Sequence, residues 1–214
     1  MTALPHLLID GPADAPLTVA LAHGAGAAMD SAFMQAFAEG LAARGLRCVR
    51  FEFPYMAERR VDGKKRPPNR APLLLETWRA VIDHLGPENL VIGGKSMGGR
   101  IASMIARTLE DEGAPVKGLV CLGYPFHPPG KPEKAVERLA HLTDIRSPTL
   151  ILQGTRDTFG GREQVPVSAL SNAVRVTWLE DGDHGFKPRK TSGRSEAQNW
   201  DEALNAIDAF ARAL

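Results

Sequence analysis

The chain has little cysteine. Its two cysteines, Cys48 and Cys121, in 214 residues cannot build the disulfide framework of a small secreted scaffold. Each lies in an apolar run, where a buried free thiol in a reducing compartment is expected. The chain also lacks a surplus of either charge. Lys plus Arg number 26 and Asp plus Glu 25, a formal charge of +1. A dedicated nucleic-acid binder usually shows a strong basic excess, so no nucleic-acid partner is expected. No apolar run approaches the roughly 20 residues of a membrane span, so no membrane partner is expected either. Residues 1–6 contain neither a basic n-region nor a long apolar core. No secretory leader is therefore expected, and the expected location is cytoplasmic. His and Cys do not cluster at metal-ligand spacing, so neither a metal nor an organic cofactor is expected.

What is present suits a folded enzyme-sized domain. Apolar residues make up 43% and charged residues 24%, too apolar for disorder. A chain of 214 residues buries roughly 70% of its unfolded surface and suits one α/β domain over 1–214. Short apolar runs at 17–22, 48–53, 90–93, 117–122, 149–153 and 174–179 read as strands. Stretches at 32–43, 73–85, 97–109, 133–142 and 196–214 carry helical spacing, and 163–170 reads as a weak helix at Pro166. The near-continuous apolar character of the strands predicts a mostly parallel, doubly wound sheet with helices on both faces. Two segments break the alternation: 54–70, read as a basic loop, and 125–134, a Pro-rich loop. Both follow strands, at the carboxyl edge where open α/β folds bind ligands. About two dozen residues separate 122 from the next strand, too few for a cap domain.

The sharpest signal is Gly94-Lys95-Ser96-Met97-Gly98, a G-x-S-x-G that leaves one apolar run and opens a helix. A nucleophile on such a turn adopts a strained backbone, and small flanking residues let strand and helix approach closely. The alternative is a plain tight turn; a phosphate loop is disfavoured because G-x-x-x-x-G-K-[ST] is absent. A serine hydroxyl is a weak nucleophile. It needs a base, and the base needs an orienting acid. Asp157 and His184 each stand just past a strand on the carboxyl side, in the chain order Ser, Asp, His. Among the other histidines, His6 precedes the core, His84 and His141 fall in helices, and His127 lies in the Pro-rich loop where it could touch substrate. Acyl transfer also needs oxyanion donors. These are expected from the backbone N–H of Met97, next to the nucleophile, and of Ala25 in His23-Gly24-Ala25-Gly26. His23 is expected to brace that loop.

With these residues in view, the chain resembles the α/β-hydrolase superfamily. Within it the chain is similar to a small group of hydrolase-like proteins that includes a testis-expressed protein and a subunit of the NSL complex. The likeness rests on His23-Gly24-Ala25-Gly26, Phe53-Pro54-Tyr55-Met56, Arg66-Pro67-Pro68, residues 93–100, residues 154–157 and Gly182-Asp183-His184. It implies a serine hydrolase core with Ser96, Asp157 and His184 in the usual roles, acting on a small-molecule ester, thioester or related acyl bond. It implies no particular substrate. Dienelactone hydrolases share a compact lidless core but carry cysteine where this chain has Ser96. The alternative is a hydrolase-shaped interaction module with little turnover, although all three catalytic residue types are kept.

Substrate contacts are expected from Gly24, Lys95, Tyr55 and His127. Two basic groups flank the expected site: Arg59, Arg60, Lys64, Lys65, Arg66 and Arg70 on one side, and Lys187, Arg189, Lys190 and Arg194 on the other. Together they are expected to attract an anionic substrate, unless they form two solvated loops.

Overall fold

A computed structural model describes residues 3–214. Met1 and Thr2, part of the stretch examined for a leader, lie outside the described residues. Seven strands, β1 (Leu7–Asp10), β2 (Thr18–Ala22), β3 (Arg47–Phe51), β4 (Leu90–Lys95), β5 (Gly118–Leu122), β6 (Thr149–Gly154) and β7 (Val174–Leu179), form one sheet. Their order is β1-β3-β2-β4-β5-β6-β7. Only β1 runs antiparallel, paired on β3; every other pairing is parallel. The main helices are α1 (Ala32–Ala42), α2 (Pro54–Asp62), α3 (Ala71–Leu85), α4 (Met97–Asp111), α5 (Ala135–Leu139) and α6 (Glu196–Arg212). This is the mostly parallel, doubly wound arrangement that the alternation predicts, and only short helical turns lie between β5 and β6.

The parallel strands are buried on both faces, so side chains alternate between two cores. Val19, Leu21, Val91 and Val120 pack with α1 and α6. Ala20, Ile92, Leu119 and Cys121 pack with α3 and α4, where Trp78 meets Phe51 edge-on at 4.6 Å between ring centroids. Both cysteines are buried free thiols. Burial pushes the Cys48 thiol up to about 12, so it stays protonated and unreactive.

Four segments differ from expectation. Strand β1 carries no alternating signal: it is four residues long, and its Ile9 is half exposed at the sheet edge. Residues 54–62, read as loop, are helix α2. Pro54 ends the preceding extended segment and also opens the helix, while Gly63 closes it at φ 71°. Its charge content suggested a solvated loop, but Tyr55 and Met56 bury one face. The 163–170 helix reduces to a turn at Val167–Ala169, and 133–142 breaks into three short pieces.

From β2 the chain passes to β3 on one side, then returns to β4 on the other. Loops leaving β2 and β4 therefore diverge, opening a crevice at their carboxyl ends. No described helix is long and apolar enough to cross a membrane.

Candidate active site

Ser96 joins β4 to α4 with φ 52° and ψ −115°, a conformation that costs an ordinary residue about 1–3 kcal/mol. The neighbouring glycines allow it. A Cβ at Gly94, whose φ is 152°, or at Gly98 would collide with the Ala22 carbonyl oxygen of the adjacent strand. The turn is held by Ser96 N–H donating to Leu122 O at 3.0 Å and Arg100 N–H to Ser96 O at 3.0 Å. Ser96 precedes α4, yet its side chain does not cap the helix, and among the described residues the hydroxyl has no hydrogen-bond partner. The hydroxyl is thus left for chemistry rather than architecture.

Asp157 and His184, 27 residues apart, meet at the same edge: His184 Nδ1 donates to Asp157 Oδ2 at 2.8 Å. A carboxylate only accepts, so Nδ1 carries the ring proton and Nε2 keeps its lone pair, the tautomer of a general base. Asp157 is 1% exposed and is held by two further donors, Gln153 Nε2 at 2.9 Å and Phe159 N–H at 2.8 Å. Phe159 also covers the His184 ring, with centroids 4.4 Å apart. The His184 loop is strained at Asp181 (φ 53°) and Phe186 (φ 70°). It is pinned by Arg189 N–H on Asp181 at 2.7 Å, by an Arg156–Asp181 ion pair at 2.9 Å, and by Phe186, which is fully buried.

Gly123 links serine and histidine in space. It follows Leu122, which holds Ser96 N–H, and its Cβ direction passes 3.3 Å from His184 Nδ1. The hydrogen bond between Ser96 and His184 is not closed in this conformation; such bonds tighten when substrate binds.

Facing Ser96 is the loop after β2, where a Cβ on Gly24 would sit 3.8 Å from Ser96 Cβ. Phe53 N–H donates to His23 Nε2 at 3.1 Å, which leaves the proton on Nδ1, and Nδ1 donates to Gly24 O at 2.7 Å. Burial lowers the His23 pKa and keeps the ring neutral. Tyr55 Oη donates to Ala25 O at 3.0 Å and lies 3.4 Å from Gly24 O. In a trans peptide the N–H points opposite to the C=O. Drawing the Gly24 and Ala25 carbonyls toward these buried side chains therefore aims the N–H groups of Ala25 and Gly26 the other way. Neither N–H, nor that of Met97, has a partner among the described residues.

Of the expected substrate contacts, Gly24 faces Ser96, while the side chains of Tyr55, His127 and Lys95 are engaged within the protein. Tyr55 is 2% exposed beneath the loop. His127 is 1% exposed, with Nδ1 on Pro128 O at 2.9 Å and a buried, unpartnered Nε2. Lys95 turns back under the site: its ammonium donates to His184 O and lies 5.2 Å and 5.5 Å from the Phe33 and Phe186 ring centroids. Burial lowers its pKa from 10.5 to about 8. The unfolded chain therefore keeps this proton over pH 8–10.5 while the folded chain loses it, so stability rises with pH across that window. A Lys95→Met variant lacks that dependence. It is expected to be more stable than wild type at pH 7, by up to about 3 kcal/mol, with the advantage shrinking toward pH 10.5 and kcat lowered as His184 O loses its donor. Denaturant melts of both proteins at pH 7, 9 and 10.5 check this, and an advantage that grows with pH would contradict it.

Four of the ten basic residues are already paired. Arg60 pairs with Glu52 at 2.6 Å and Asp30 at 2.7 Å, and Arg66 with Glu58 at 3.1 Å and with Asp62. Arg189 pairs with Asp181 at 2.5 Å, and Arg194 with Glu202. Lys64, Lys65, Arg70, Lys187 and Lys190 are exposed without an ion pair among the described residues, and Arg59 stands out as half-buried with none. Gln153 and Phe159 were not anticipated. A glutamine ending an otherwise apolar strand was the available signal, because a buried amide must find partners. No described group of three His, Cys or acidic residues is placed to hold a metal ion.

Residues 15–212 match the family described as alpha/beta hydrolase domain. Among solved structures, an α/β serine hydrolase homologue from Coxiella burnetii is 23% identical, with a TM-score of 0.67 over 97% of this chain and 90% of that one. An α/β serine hydrolase without lid from Xanthomonas campestris is 17% identical, TM-score 0.64, over 97% and 88%. A dienelactone hydrolase from Anabaena variabilis is 22% identical, TM-score 0.65, over 97% and 88%.

Proposed function

Since the chain belongs to the alpha/beta hydrolase domain family, we propose that it is a serine hydrolase that cleaves a carboxylic ester, thioester or related acyl bond of a small-molecule substrate. The observation that carries this is the His184–Asp157 hydrogen bond of 2.8 Å beside the strained Ser96 turn. In this reading His184 Nε2 takes the hydroxyl proton as Ser96 Oγ attacks the acyl carbon. The carbonyl π electrons move onto oxygen, which accepts hydrogen bonds from Ala25 and Met97 N–H. The C–O or C–S bond then breaks, and the imidazolium proton goes to the leaving group. Water repeats the sequence on the acyl-enzyme, returning Ser96 and releasing the acid. Asp157 fixes the ring and its tautomer throughout. The narrower likeness, to the testis-expressed and NSL-subunit group, rests on the Lys-Ser-Met-Gly-Gly-Arg and Pro-Tyr-Met segments and adds no substrate.

The test is turnover of a panel of p-nitrophenyl esters and acyl thioesters of graded chain length. Hydrolysis well above buffer is expected. No hydrolysis, together with no covalent labelling by a fluorophosphonate, would leave a hydrolase-shaped interaction module.

Tyr55 is a positioning residue in this account. Removing an oxyanion donor outright costs about 10²–10³ in kcat, so loosening its support is expected to cost about tenfold. Tyr55→Phe should lower kcat by that amount with KM nearly unchanged. A variant that changes only KM would mean that Tyr55 does not act on the transition state.

A further inference from the structure

The loop bearing the Ala25 N–H continues into a groove of about 360 Å³ lined by Gly26, Ala27, Ser31, Met56, Arg59 and Arg60. Its walls are small or apolar except for the two arginines, and these differ. Arg60 is saturated by Glu52 and Asp30; Arg59, one residue earlier on α2, has no acidic partner among the described residues. Arg59 lines the groove together with Gly26, Ala27 and Ala28, so the cation shares one cleft with the loop that bears the Ala25 N–H. The N–H groups of Gly26, Ala27 and Ala28 also have no acceptor among the described residues. One wall thus offers donors, and the other an unpaired guanidinium suited to a planar or tetrahedral anion.

The groove is within reach of the chemistry. A Cβ on Gly24 would sit 3.8 Å from Ser96 Cβ, and Gly26 is two residues further, at most about 7 Å of chain. Resting on the serine hydrolase reading above, we infer that this groove is an anion subsite: the substrate is an ester or thioester carrying a carboxylate or phosphate about four to six bonds from the scissile carbonyl, and Arg59 binds that group. The choice of Arg59 over the net charge of the loop makes the inference specific, because Lys64 and Lys65 do not line the groove.

Two substrate series test it. One places the charge on the acyl side: p-nitrophenyl hemiadipate against its methyl-capped form, and a phosphate-terminated acyl ester against its neutral diester. The other places it on the alcohol side: the acetate ester of a hydroxy acid against that of its methyl ester. In one series wild type is expected to favour the anion at least tenfold in kcat/KM. Arg59→Gln should cut that ratio at least tenfold, Arg59→Lys only partly, and Lys64→Gln not at all. No preference in either series, a ratio untouched by Arg59→Gln, or equal loss in Lys64→Gln would overturn the subsite. If no ester or thioester is turned over, the hydrolase reading fails and binding decides the subsite. Calorimetry of Ser96→Ala with monomethyl adipate and with inorganic phosphate should show binding that Arg59→Gln weakens at least tenfold, and binding independent of Arg59 overturns it.

Discussion

Ser96→Ala is expected to abolish ester turnover while leaving the fold in place. Removing a serine nucleophile costs about 10⁶-fold in kcat, with a residual about 10³–10⁴ over water from binding and oxyanion donors. The structure explains why stability is spared. The hydroxyl caps no helix and has no partner among the described residues, so its loss leaves no orphaned polar group. Alanine at φ 52° carries the same Cβ and the same strain that serine already bears. The expected result is an unchanged melting midpoint, within a degree or two, and a kcat with p-nitrophenyl acetate lowered by about 10⁶-fold. Turnover at the wild-type rate would remove Ser96 from the mechanism.

Asp157→Asn carries the second largest effect and probes the tautomer. The carboxylate accepts from His184 Nδ1, Gln153 Nε2 and Phe159 N–H. An asparagine keeps one acceptor and presents an NH₂ to donors. If the NH₂ faces His184, the ring proton moves to Nε2 and the base is lost, at a cost of about 10⁴-fold in kcat. In that position it also faces Gln153 Nε2, which donates to the same Oδ2, whereas in the Oδ1 position it meets the Phe159 N–H; either way two donors collide in a site that was 1% exposed, a penalty of about 1–3 kcal/mol. The variant is therefore expected to fall in both kcat and stability. The natural contrast is Gln153→Glu, which places a second carboxylate against Asp157. A kcat loss below tenfold in Asp157→Asn would mean that another acid orients His184.

The sheet is legible in the sequence because its strands are buried on both faces and so read as unbroken apolar runs. That physics does not extend to β1, an edge strand of four residues held by one neighbour. Nor does it extend to α2, where only Tyr55 and Met56 among nine residues are buried and the rest looks like solvated loop. At the site, local geometry was readable: Gly94 and Gly98 mark a turn that brings two backbones together, and Asp157 and His184 stand past β6 and β7, where the structure has them. The supporting contacts were not readable. Whether Lys95 points to the mouth or beneath it depends on Phe33, Phe186 and His184 O, all distant in sequence. Which arginines are free depends likewise on which acids fold within reach of Arg60, Arg66 and Arg189. Tyr55 is expected from the sequence to touch substrate, and the structure turns its hydroxyl onto the Ala25 carbonyl.

The central claim is that Ser96 is acylated during turnover, and its most direct test is the mass of one peptide. Trypsin cuts after Lys95 and after Arg100, releasing residues 96–100, Ser-Met-Gly-Gly-Arg, in which Ser96 is the single hydroxyl side chain. Wild-type protein treated with a fluorophosphonate, or quenched in acid during reaction with a p-nitrophenyl ester, is digested and analysed by tandem mass spectrometry. The account predicts the phosphonyl or acyl mass on this peptide, localised to Ser96, and its absence in Ser96→Ala. An adduct confined to any other peptide, or none under conditions of measurable hydrolysis, would contradict it.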